Sequence, residues 1–188
     1  MKCRLIFRIF LCLSLSGLFL SAGYAQKVQP PFDLANPPQG LLSEEWFEVL
    51  LNGQKTGYSQ LRILRVGDEI QTKNLSVMEM SRGAYGISVE ATESYRETID
   101  GRPIGFAYDM TMGAGTVTVS GTYEGGNMRV LTKQGDFEKA EVYPFANDTR
   151  MAWGQALELF AQDWEPGQMR TFTGYLPSVN AAKATETT

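Results

Sequence analysis

From Trp46 to Tyr143 the chain repeats one rhythm: a strand-like segment of six to twelve residues, in most of which apolar and polar residues alternate, then a glycine-containing turn. Alternation with a period of two is the mark of a strand with two unlike faces. Trp46 to Leu51 forms the first such segment. Asn52-Gly53 behind it is a hairpin signal, because both central positions of the favoured two-residue turn need positive φ. The return strand runs from Thr56 to Val66, with Tyr58, Gln60, Arg62, Leu64 and Val66 on one face and Ser59, Leu61, Ile63 and Arg65 on the other. Gly67-Asp68 turns the chain into Glu69 to Met80, which carries apolar residues on both faces and so expects partial cover on each. Further strands are expected at 87–98, 104–112, 115–124, 128–133 and 137–143, joined at 82–86, Asp100-Gly101, Gly113-Ala114-Gly115, Gly125-Gly126-Asn127 and Gly135-Asp136.

Turns this short join only antiparallel neighbours. The pattern therefore predicts a mainly β (α+β) domain, a curved antiparallel meander sheet, with one segment of a different period. Between Thr149 and Trp164 the apolar residues Trp153, Ala156, Leu157, Phe160, Ala161 and Trp164 form a single helical stripe. Asn147 or Asp148 is placed to cap its start, and Pro166-Gly167 to stop it. Burial of each large ring contributes about 1.5–3 kcal/mol, so the helix is expected to lie against the sheet. Met169 to Tyr175 offers a last strand.

The ends read differently. Residues 1–25 combine Lys2, Arg4 and Arg8 with the apolar run Ile9 to Leu20 and the small residues Gly23 and Ala25, which is the pattern of a secretory signal peptide cut after Ala25. The rival reading, an uncleaved anchor, suffers from an apolar run short of the roughly 20 residues that a spanning helix needs. Residues 26–42, with Pro30, Pro31, Pro37 and Pro38, are expected to be an extended or mobile lead-in, and the domain to occupy 43–178. Residues 179–188 are small and polar, either a frayed tail or the start of a following region. A periplasmic or secreted location follows, with no membrane span after cleavage.

Composition narrows the chemistry. The chain has no histidine and two cysteines, Cys3 and Cys12, both within the leader. Without imidazole or thiol the exported part has neither a Cys-His nor a Ser-His-Asp arrangement, and no Ser-x-x-Lys spacing occurs. It is expected not to be an enzyme and to need no cofactor or metal. Loss of three of the 17 basic residues with the leader leaves 14 against 21 acidic ones, a formal charge of −7. Such a surface repels phosphate backbones, and its basic residues are scattered singly, which argues against nucleic acid as a partner.

Two features remain. Glu93 and Glu97 interrupt an otherwise apolar strand face, about 13 Å apart at the usual strand rise, too far for a glycosidase pair. Pairing with an arginine, or a less buried face, is the plainer account. Phe106, Tyr108, Met110 and Met112 share one face of one strand, and Met78 and Met80 could extend it. Methionine-rich walls accommodate varied apolar ligands, but the same residues would also serve as the bed for the helix. The glycosylation triplets Asn74-Leu75-Ser76 and Asn147-Asp148-Thr149 are frequent by chance.

Trp46 with Leu51-Asn52-Gly53-Gln54-Lys55-Thr56-Gly57-Tyr58, Asp100-Gly101-Arg102-Pro103 leading to Phe106, and Trp164-Glu165-Pro166-Gly167 followed by Phe172 and Pro177-Ser178 resemble the amino-terminal β domain of secreted bacterial transglutaminase-like proteins. In that family the β domain precedes a papain-like domain holding a Cys, His, Asp triad, which no residue here matches. The resemblance implies a curved sheet round a helix, similar to periplasmic lipoprotein-carrier folds. It yields two expectations: a non-catalytic accessory or interaction domain with a protein partner in the cell envelope, or a self-sufficient periplasmic binder of an apolar, lipid-like ligand.

Overall fold

The structure, a computed structural model, describes residues 31–82, 85–146, 148–161, 171–177 and 181–187. The signal-peptide reading of 1–25 and the positions of Trp164, Pro166 and Gly167 lie outside them. Eight strands follow in chain order: β1 (Gly40–Leu51), β2 (Gln54–Val66), β3 (Glu69–Arg82), β4 (Tyr85–Thr98), β5 (Pro103–Met112), β6 (Gly115–Glu124), β7 (Asn127–Gln134) and β8 (Phe137–Pro144). They form one sheet in the order β1 to β8, each antiparallel to the next. The expected meander is thus the observed one, and the sheet is not closed. Asn52 (φ 52) and Gly53 (φ 77) make the first turn in the left-handed conformation that the pair suggested.

Antiparallel pairing carries one face across the sheet, with register shifts between Leu41 and Ser43 and between Val49 and Leu50 on β1, and between Arg96 and Glu97 on β4. Glu97, Tyr95, Glu93, Ala91 and Val89 on β4 stand beside Ile70, Thr72, Asn74, Ser76 and Met78 on β3. On the other side Tyr95, Glu93, Ala91 and Val89 meet Phe106, Tyr108, Met110 and Met112 on β5. This inner face is covered at one end. Phe145, Met151 and Tyr175 cap the buried cluster of Tyr95, Phe106, Tyr108, Val119, Met128 and Val130. Helix α1 (Ala152–Phe160) supplies Trp153 and Ala156 to a second cluster round Ile70.

Four expectations need correction. The helix does not lie on β5: it packs on β3 and β4, while the β5 aromatics are covered by Phe145, Met151 and Tyr175. Its first residue is Ala152, preceded by Met151, which makes no side-chain cap bond; Asp148 stands outside the helix and Asn147 outside the described residues. The lead-in is tied down over 31–39, because Phe32 and Leu34 pack on the second cluster, Pro37 is fully buried, and Arg65 donates to Asn36 Oδ1 and to the Pro37 carbonyl. Lastly, β9 (Thr171–Leu176) pairs with β10 (Ala181–Thr187), where either a frayed polar tail or the start of a following region was expected; the pairing is at odds with the frayed tail. Thr173 and Arg150 join this small sheet to the chain before α1: the Arg150 N–H donates to the Thr173 carbonyl at 2.9 Å.

Candidate functional site

The β5 stripe singled out from sequence runs out from under its cover. Phe106 is 5 % exposed and Tyr108 8 %, Met110 is half-buried, and Met112 is 53 % exposed on the same strand face. Burial by Phe145 and Tyr175 explains the first half: the Phe106 ring lies 4.8 Å from that of Tyr175, which lies 5.7 Å from that of Phe145. Beyond Tyr108 the apolar surface continues through Met110 and Val117, both packed on the buried cluster, to Met112 and Ile87 at the rim. Met78 is half-buried on the same face; the Met80 side chain lies outside the described ones. Phe106 and Tyr108 are therefore core, and Met110 and Met112 form an accessible apolar wall.

Small polar groups lie beside this wall. Ser59, Asn74 and Ser76 occupy the inner face of β2 and β3; the Ser59 hydroxyl donates to Asn74 Oδ1 at 2.8 Å and the Ser76 hydroxyl to Ser59 Oγ at 3.2 Å. This half-buried position on the inner face is a poor one for glycosylation of Asn74. The Tyr95 hydroxyl reaches Glu93 Oε2 at 3.4 Å. Burial, then the charge of Glu93, raises the Tyr108 phenol above its usual range, and Tyr95 moves the same way for the same reasons. Burial also raises Glu45 on β1, opposed by its Ser43 hydrogen bond. Among the described residues the buried Thr72 and Tyr175 hydroxyls have no hydrogen-bond partner; burial, followed by the charge of Tyr143, lifts Tyr175 to about 12.

Glu97 is not paired as expected. Fully buried, it accepts the backbone N–H of Trp153 at 2.7 Å on Oε2 and that of Gly154 at 2.8 Å on Oε1. A strand carboxylate thus does the work of a helix cap. Trp153 adds a bond from Nε1 to the Ile99 carbonyl at 2.8 Å. Desolvation pushes the Glu97 carboxyl up to about 7, opposed in turn by the Gly154 and Trp153 N–H groups and by Arg150. The sequence held one sign of this: an acid on a face that is otherwise apolar.

The outer face bears a separate feature. Trp46 is 60 % exposed, with its ring 5.6 Å from that of Tyr58 on the neighbouring strand. Nearby, where β2, β3 and β4 approach the Lys55 turn, an open groove of about 580 Å³ is lined by Lys55, Gly57, Tyr58, Val77, Glu79 and Ile87, among others. A Cβ on Gly57 would stand 1.8 Å from the Val77 carbonyl oxygen, so this floor requires glycine. Lys55 is already engaged with Glu48 at 2.7 Å. Among the described residues the edge strands of the sheet are β1 and β8.

Among the described residues no three His, Cys, Asp or Glu side chains gather as a metal site, and no helix is long and apolar enough to cross a membrane. Comparison with protein-family models, with curated proteins and with solved structures finds no match in any of the three.

Proposed function

We propose that this chain is a non-catalytic binding domain of the cell envelope whose inner sheet face holds an apolar, lipid-like ligand along the wall formed by Met110, Met112 and Val117. The observation that carries this reading is the burial gradient along β5, from Phe106 at 5 % exposed to Met112 at 53 % on one face of one strand. A continuous apolar surface that begins in the core and ends in solvent gives an acyl chain a place to extend the core. Unbranched, polarizable methionines adapt to it without a fixed shape. The adjoining Ser59, Asn74 and Ser76 would meet a polar end group. Titration with a fluorescent fatty acid tests this: Met112→Asp is expected to weaken binding at least tenfold, while Val142→Asp on the exposed edge strand β8 leaves it unchanged. Equal affinities for both variants and the parent would overturn the reading.

A second reading, an accessory domain of a transglutaminase-like protein acting through a protein partner, is favoured by the outer-face Trp46–Tyr58 pair on β1 and β2, β1 being an edge strand among the described residues. Aromatic residues of this kind are enriched at interfaces. Under either reading export by the leader comes first, and no bond-breaking chemistry is assigned to the domain.

A further inference from the structure

We propose that Glu97 is a proton-responsive latch, fastening α1 across one end of the inner face more firmly when it carries a proton than when it is ionised. The first turn of a helix leaves N–H groups that need acceptors. Here the residue before the helix supplies no side-chain cap, and the acceptor comes from β4 instead. The junction is tight. A Cβ on Gly154 would lie 2.8 Å from the Gly101 carbonyl oxygen and 3.3 Å from Glu97 Oε1, and one on Gly101 would lie 2.7 Å from the Gly154 Cα. Helix, turn and carboxylate therefore fit together in one arrangement, with Glu97 out of reach of solvent.

The groups around it are few in charge. From the segment before the helix comes Arg150, whose Nε is 2.8 Å from Glu158 of α1. On β4 itself stands Tyr95, whose phenol is raised in part by Glu97. β3 and β5 present Ile70 and Pro103 as cross-strand neighbours. Arg65 on β2, next to Ile70 in the same row, donates to Asn36, Pro37 and Gly67. In the turn, Asp100 and Arg102 pair with each other at 2.9 Å on the surface. Desolvation outweighs the two N–H bonds and Arg150, so the docked carboxyl titrates near 7 against 4.5 for an ordinary one.

The sign follows from linkage. The docked state binds the proton more tightly than the released state, so docking is strongest below about 4.5 and weakens as pH rises towards 7, by up to about tenfold per pH unit. Release would expose Trp153 and Ala156 together with Ile70, Ile63 and Ile99. If the inner face is the binding surface proposed above, the latch makes access to it depend on pH, a consequence that rests on that reading; the latch itself does not.

Amide exchange of 152–160 in the ligand-free protein, corrected for intrinsic rates between pH 5 and 8.5, tests it. Protection of the Trp153 and Gly154 amides is expected to fall at least tenfold with rising pH while that of β6 and β7 holds, and Glu97→Gln is expected to abolish the step. Matching pH profiles in the two proteins would overturn the proposal. Should E97Q not fold, the side-chain carbon resonance of Glu97 in the parent decides: a midpoint near 7 supports the latch, and one near 4.5 contradicts it. Lipid binding could fail with either result, so the two proposals fall separately.

Discussion

Gly121→Ala is the smallest change that tests how the core is packed. Gly121 sits mid-strand on β6 opposite Phe106, and the Phe106 ring lies directly over it. A Cβ built there would fall 2.1 Å from Phe106 Cε1, 2.6 Å from Cζ and 2.7 Å from Cδ1. Relief requires the ring to move by more than about 1 Å to reach ordinary carbon contact near 3.5 Å. Its way is obstructed by Tyr175, 4.8 Å off between ring centres. Overpacking of this kind costs about 1–3 kcal/mol, and the lower chain entropy of alanine offsets about 0.4–1 kcal/mol. The net loss is about 1–2 kcal/mol, or roughly 2–8 °C in Tm for a domain of this size. Calorimetry of the parent, G121A, Phe106→Leu and the double variant completes a cycle. In the F106L background the alanine is expected to cost less than about 0.5 kcal/mol, since the clashing ring is gone. A G121A protein as stable as its parent, or an equal penalty in both backgrounds, would refute the argument.

Three further outcomes are expected. Gly53→Val, at φ 77, should destabilise the first hairpin by about 1–2 kcal/mol, seen as a lower Tm by circular dichroism. Trp153→Ala removes a ring 2 % exposed and strands the Ile99 carbonyl, for about 3–5 kcal/mol in urea unfolding. Because the Glu97 carboxyl is raised in the folded state, unfolding at pH 8 should need less urea than at pH 5, a difference of at most about 3 kcal/mol that Glu97→Gln removes.

The sheet was legible because each of its joints carries a local signal. Asn52-Gly53, Gly67-Asp68, Gly125-Gly126 and Gly135-Asp136 all fall where the chain reverses, and period-two alternation fills the intervals. What escaped was whatever depends on distant partners. Glu97 caps a helix 56 residues away, so no window of sequence contains both ends of that bond. Phe32 and Leu34 sit among prolines, which hid two apolar side chains that pack on the cluster of Ile70, Trp153 and Ala156. Ala181–Thr187 pairs with β9, yet its small and polar residues carry no apolar pattern to announce a strand. The β5 stripe was found, but its division into a buried half and an accessible half depends on where Tyr175 and Phe145 land.

Native mass spectrometry of the purified domain tests the central claim most directly. The expected result is a mass exceeding that of the polypeptide by a retained lipid, or one-to-one uptake of an offered long-chain fatty acid, with uptake lost in Met112→Asp. A clean polypeptide mass that stays unchanged after incubation with fatty acids of several lengths would contradict it.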